Sequence, residues 1–186
     1  MSHSSWFVYA GTNRIFKHYD FNTRDAATSA NAMSFSSYPG FLESLDDYYM
    51  MNNDIVLIQT TNNVFDASLY SKVKPESLLA WQRVRMANHM AANGSRWFDV
   101  VRQFNSGTYN NQYMILDMSK IKVGVRVEDD ALWVVEQIPG LVLGRDVTPI
   151  LRNGHWPSYN VPFFEKIFNM SGYPAVVEQK GDAEKR

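Results

Sequence analysis

The run Asn105-Ser106-Gly107-Thr108-Tyr109-Asn110-Asn111-Gln112-Tyr113 packs three asparagines, a glutamine, a serine and a threonine around one glycine, and Met114-Ile115-Leu116 follows at once. Amides this close to an apolar segment need partners, because a buried donor or acceptor left unpaired costs free energy. The run is therefore either a tight, internally bonded turn feeding a buried strand at 112–118 or the polar wall of a site. Gly107 supplies a residue free to take a positive φ there. Replacing Asn110 or Asn111 by leucine is expected to destabilise by about 1–3 kcal/mol if the amide is buried and bonded.

Strand-like segments surround this run. Residues 32–38 alternate small and polar side chains and stop at Pro39-Gly40, a turn signal. Residues 54–61, with Ile55-Val56-Leu57-Ile58 at their centre, read as a short buried strand that exits through Thr60-Thr61-Asn62. Segments 112–118 and 132–138 read as neighbouring strands separated by the charged loop Glu128-Asp129-Asp130.

Helical spacing is clear in fewer places. Pro75 suits a first helical position, with Leu78, Leu79, Gln82, Arg83, Met86 and Met90 on helical spacing and Asn93-Gly94 as the stop. Ser95 then reads as the cap of a second helix, 97–104. A third is expected over 162–170, stopping at Gly172, and a fourth from Pro174. Strands grouped with strands and helices with helices predict an α+β layered sandwich rather than βαβ units.

The 186 residues suffice for one domain, 1–186, and are short for two; the charged, small residues 180–186 read as a frayed tail. A net charge of −1 gives no general attraction to nucleic acid or anionic membrane. No stretch approaches the roughly 18 apolar residues of a membrane span. There is no cysteine, so this sequence carries no disulfide and no thiolate. The residues ahead of Trp6-Phe7-Val8-Tyr9 do not read as a signal peptide, and none is expected in these 186 residues.

Candidate chemistry is sparse. His3, His18, His89 and His155 show no metal-ligand spacing, and no metal or cofactor is expected. Asp46-Asp47 is either a carboxylate pair for acid–base work or a solvated turn. Asn160 lies between Pro157 and Pro162, which restrict the chain and predict a stiff, extended backbone. A rigidly presented amide is what an oxyanion donor requires.

Ser36-Ser37-Tyr38-Pro39-Gly40, Asp46-Asp47-Tyr48-Tyr49, Gln59-Thr60-Thr61-Asn62, the run from Phe104 to Gln112, Val135-Glu136-Gln137-Ile138-Pro139-Gly140 and the stretch from Trp156 to Gly172 occur in one order across nearly the whole chain. Together they resemble the phospholipase B-like family. The resemblance implies the N-terminal-nucleophile hydrolase fold, an αββα sandwich of two antiparallel sheets between helix layers, of which this chain is the central part. It also implies a precursor that cuts itself and exposes a cysteine, which attacks the substrate with its own α-amine as base. His3 and Trp6 resemble the ends of the family's His-Asn-Thr-Trp segment, here His3-Ser4-Ser5-Trp6. Thr61 resembles the threonine closing a strand-end pair at the site, and Asn160 the asparagine of a Ser-Tyr-Asn motif that acts as oxyanion donor. The family's nucleophilic cysteine would lie upstream of His3 and an arginine of the site just beyond Arg186. The expectation is then a lipid ester hydrolase, lysosomal or secreted, whose N- and C-terminal segments are needed for activity and whose 186 residues alone are inactive. Two other readings remain: a non-catalytic protein of the same fold that binds lipid or another apolar ligand, and an amidase of this fold. Asn169 and Asn93 head glycosylation acceptor sequences, Asn169 being favoured.

Overall fold

The computed structural model describes residues 1–4, 8–11, 13–44 and 48–181. Its centre is a seven-stranded, wholly antiparallel sheet. In chain order the strands are β1 (Ile15–Asp20), β2 (Ala32–Ser37), β3 (Tyr48–Met51), β4 (Ile55–Thr61), β5 (Asn111–Asp117), then β6 (Ile121–Lys122) and β7 (Arg126–Val127), and finally β8 (Leu132–Ile138) and β9 (Leu141–Asp146). The sheet order is β1-β2-β3-β4-β5-β8-β9, and β6 and β7 form a separate two-stranded hairpin. Segments 112–118 and 132–138 are neighbours as expected: Gln112 faces Glu136 and Leu116 faces Leu132. The helices are α1 (Ala80–Met90), α2 (Gly94–Val101), α3 (Thr148–Leu151), α4 (Glu165–Met170) and α5 (Tyr173–Lys180). The architecture is α+β and compatible with part of an αββα sandwich, with one of the two large sheets among the described residues.

Period-2 alternation assigns the two faces. Met33, Phe35, Tyr49, Ile55, Leu57, Tyr113, Ile115 and Val135 point to one face and pack under α1 and α2 against Val84, Ala87, Trp97 and Val101. On the opposite face Met114, Leu116, Leu132 and Val134 meet Val147, Leu151, Trp156, Phe163 and Phe164 from the chain after β9. Cover on that face ends before β2 and β3, where Met50 is 51% exposed. β5 is buried along its whole length, as a strand covered on both faces must be.

The amide-rich run is a tight polar turn, as predicted. Asn105 Oδ1 accepts from Gly107 N–H, Ser106 Oγ from Thr108 N–H, and Asn110 Nδ2 donates to Gly107 O. Gly107 has φ +68°, and a Cβ there would sit 2.7 Å from Pro139. The strand it feeds begins one residue early, at Asn111, and ends at Asp117.

Several helix boundaries differ from expectation: α2 ends at Val101 rather than 104, and α4 starts at Glu165 rather than 162. α1 starts at Ala80, not Pro75. Residues 75–79 form a turn in which Leu78 N–H bonds Phe104 O, and Thr108 Oγ1 accepts from Ala80 N–H at 3.2 Å. The start of the helix is thus set by a loop 28 residues away, which no local signal shows. Asn93 is the N-cap of α2 and not the stop of α1, its Oδ1 accepting from Arg96 N–H, so Ser95 is not the cap. α5 takes in Lys180, the first residue of the expected tail; 182–186 lie outside the described residues.

Candidate functional site

β4 leaves the sheet through Thr60 and Thr61, and the segment from Gly154 to Phe164 crosses that end. Asn160 sits on this crossing. Its φ is +63°, so the extended backbone expected between the two prolines is overturned: the residue is left-handed. Asparagine is among the non-glycine residues that enter this region most readily. The segment is held by hydrogen bonds rather than by proline stiffness alone. Asn160 Nδ2 donates to Thr61 O at 2.9 Å, and the buried Tyr173 donates its hydroxyl to Asn160 O at 2.9 Å while accepting from Asn63 N–H at 3.0 Å.

A second clamp comes from β8. Glu136 is fully buried, on the face that carries Val134 and Ile138. Its Oε1 accepts from Phe163 N–H at 2.6 Å and from Gln112 Nε2, and its Oε2 from Phe164 N–H at 3.0 Å. Burial pushes the carboxyl above its ordinary pKa, while the two backbone donors and Gln112 pull the other way. From Gln112 a line of side chains continues outward: Ser158 Oγ donates to Gln112 Oε1, and Thr60 Oγ1 lies 2.5 Å from Ser158 Oγ.

These elements border a cavity of about 760 Å³. His3, Thr60, Ser158 and Asn160 lie at its polar side, and Ile58, Met114, Leu116, Leu132, Leu151 and Trp156 line the remainder. His3 also borders an adjoining cavity of about 490 Å³, floored by Tyr48, Met50 and Val56 on the less covered part of the same sheet face. A volume of this order with a mostly apolar lining and a few convergent polar groups is the usual form of a small-ligand site.

The structure brings His3 and Asn160 to one cavity. Thr61 does not line it; its carbonyl holds the Asn160 amide, while its side chain, by strand alternation, points away from Thr60 and borders a separate cleft beside Asn62 and Asn110. Trp6, Asp46 and Asp47 lie outside the described residues. His18 pairs with Ser34 Oγ and His89 with Ala30 O, away from the cavity, whereas His155 lines it. Among the described residues no group of three or more His, Cys, Asp or Glu is placed to hold a metal ion.

Glu136, Gln112, Ser158, Thr60 and Tyr173 were not singled out from the sequence as site residues. One signal was present: an acid inside the apolar strand 132–138, where an ionisable group demands partners.

The family model for phospholipase B matches residues 1–184. Phospholipase B-like 1 of Homo sapiens is 56% identical over 180 residues, covering 97% of this chain and 32% of the human protein. Phospholipase B of Crotalus adamanteus is 54% identical, with 97% and 32% covered. Phospholipase B-like protein B of Dictyostelium discoideum is 45% identical over 184 residues. The chain spans about a third of the length of the curated relatives it matches.

Proposed function

Since the chain belongs to the phospholipase B family, we propose that it forms the central, substrate-binding part of a hydrolase that cleaves lipid acyl esters, with the nucleophile supplied from outside these 186 residues. The apolar cavity over β4, β5 and β8 takes the acyl chain, and its polar side receives the ester group. One observation carries the reading: the Asn160 carboxamide is fixed beside an apolar cavity with one amide hydrogen given to Thr61 O, which leaves the second for a ligand oxygen.

The chemistry is acyl transfer. A cysteine thiolate attacks the ester carbonyl carbon, and the C=O oxygen becomes an oxyanion. Asn160 Nδ2–H stabilises that charge as it develops. Collapse breaks the bond to the alkoxy oxygen, which leaves as alcohol with the proton held by the nucleophile's α-amine. Water then hydrolyses the thioester and returns the free acid. His3 borders the same cavity and orients the site, and the Glu136 and Tyr173 clamps keep the Asn160 segment in place. The expected site of action, lysosomal or secreted, follows the family resemblance, as do the remaining two thirds of a relative's length as partners of the less covered sheet face.

The test is Asn160→Ala in a chain completed to the length of its relatives, with the cysteine in place. A fall in kcat much larger than any change in KM supports the oxyanion role; a folded variant with unchanged kcat removes it. The 186 residues alone should turn over no ester, because they hold no thiol. A second reading is a lipid-binding protein of the same fold without chemistry; binding without turnover by the completed chain would select it.

A further inference from the structure

Gln112 is 1% exposed, and both ends of its amide are assigned by their neighbours. Its Nε2 donates to Glu136 Oε1 and lies 3.3 Å from Val161 O. A backbone carbonyl cannot donate, so the end facing Val161 is the NH2 group whatever the charge on Glu136. Gln112 Oε1 can then only accept, and Ser158 Oγ is its donor. A serine hydroxyl has one hydrogen. With that hydrogen spent on Gln112, Thr60 Oγ1 must be the donor across its 2.5 Å contact with Ser158 Oγ. The chain of hydrogen bonds therefore runs one way, from Thr60 through Ser158 and Gln112 to Glu136. Thr60 and Ser158 both line the large cavity, and both bring it hydroxyls whose hydrogens are already used.

We propose that Thr60 and Ser158 form an acceptor-only subsite, which selects acyl ligands carrying a hydrogen-bond donor (a hydroxyl, an ammonium or an amide N–H) next to the ester. This rests on the reading of the cavity as an acyl-lipid site. The division of labour with Asn160 is chemical. Asn160 has a hydrogen to give and meets the acyl oxygen; Thr60 and Ser158 have lone pairs to give and meet the donor on the alcohol portion. An ester whose alcohol portion has no donor leaves these oxygens facing apolar surface, where lost hydrogen bonding is paid in affinity.

The experiment compares 1-monolauroylglycerol with its 2,3-dimethyl ether, which keeps the chain and ester and removes both donors. Binding of each to a chain completed to the length of its relatives, with alanine in place of the nucleophilic cysteine so that neither lipid is turned over, is measured by calorimetry below the concentration at which the lipids self-associate, with circular dichroism as the check of folding. The diol should bind about tenfold more tightly, the difference one to two neutral hydrogen bonds make. Thr60→Val should shrink the preference, Thr60→Val with Ser158→Ala should abolish it, and Thr60→Ser, which keeps the hydroxyl, should retain it. Equal binding of the two lipids to the chain with Thr60 and Ser158 unaltered overturns the subsite alone, as does a preference that survives in the folded double variant. Failure of both lipids to bind overturns the acyl-site reading and the subsite with it.

Discussion

Replacing Glu136 by glutamine tests the clamp that holds the Asn160 segment to the sheet. The carboxylate offers two acceptor oxygens to three donors: Phe163 N–H and Gln112 Nε2 at Oε1, and Phe164 N–H at Oε2. A glutamine has one oxygen. Placed where Oε1 was, it keeps two donors and turns its NH2 against Phe164 N–H; placed where Oε2 was, it keeps one and opposes two. The better orientation leaves one buried donor unpaired, which costs about 1–3 kcal/mol. Glu136→Ala strands all three and should cost about 3 kcal/mol or more. Urea unfolding followed by fluorescence reads this directly: with a slope of about 1–3 kcal/mol/M, the glutamine variant should lose on the order of 1 M in midpoint at unchanged slope. The pH dependence adds a sign. Burial holds the folded carboxyl above its ordinary value of 4.5, so the folded protein binds this proton more tightly than the unfolded chain. The contribution to stability is full below 4.5 and is lost as pH rises through the raised folded value. Glutamine does not titrate, so the gap between the two proteins should be widest in acid and narrow as pH rises. Equal midpoints at neutral pH, or a gap that widens with pH, would refute the reasoning.

In a completed, cysteine-bearing chain, Asn160→Ala should lower kcat by about 10²–10³ and KM little, measured in steady-state ester hydrolysis. Asn160→Gly accepts the φ of +63° without a Cβ and should lose the same activity with less strain; retained activity in it would sink the oxyanion role. Arg83 is 2% exposed and donates to Leu78 O, Val101 O and Gln137 Oε1, so Arg83→Met should cost about 3 kcal/mol or more by stranding three acceptors, and a midpoint within error of wild type would count against this. Asn169 is exposed at the end of α4, whereas Asn93 Oδ1 is engaged as the cap of α2; secretory expression should therefore glycosylate Asn169, read as a mass loss on glycosidase treatment.

The strands were legible because burial patterns along them are local: Ile55–Thr61 and Leu132–Ile138 declare themselves by composition and length. The polar turn at 105–111 was legible because part of its bonding is local: Asn105 Oδ1, Ser106 Oγ and Asn110 Nδ2 each find a backbone partner within three residues. What could not be read depends on partners far away in the chain. Thr108 decides where α1 begins, and Thr61 O and Tyr173 stabilise a left-handed Asn160 that flanking prolines alone would leave extended. Asn93 followed by Gly94 serves equally well as a helix stop or a helix start, and only the Arg96 N–H bond settles it. At the site, the sequence pointed to His3 and Asn160, which share a cavity, but not to the line Thr60, Ser158, Gln112 and Glu136. Those four residues are separated by up to 98 positions along the chain and acquire meaning only when β4, β5 and β8 lie side by side.

Glu136 and Gln137 are adjacent on β8 and point to opposite faces. Glu136 bonds the backbone of 163–164, and Gln137 bonds Arg83 and the carbonyls of Thr108 and Tyr109. A slip of one residue in β8 would exchange them, aiming the acid at the carbonyls beneath the helices and the amide at the paired N–H groups on the other side. Apolar strands often tolerate such a slip because Val and Leu substitute for each other; this one cannot. Insertions and deletions should therefore be excluded from 132–141, the Pro139-Gly140 turn included. Length changes in this protein should collect instead in the charged loop around Glu128-Asp129-Asp130, which belongs to neither bond set.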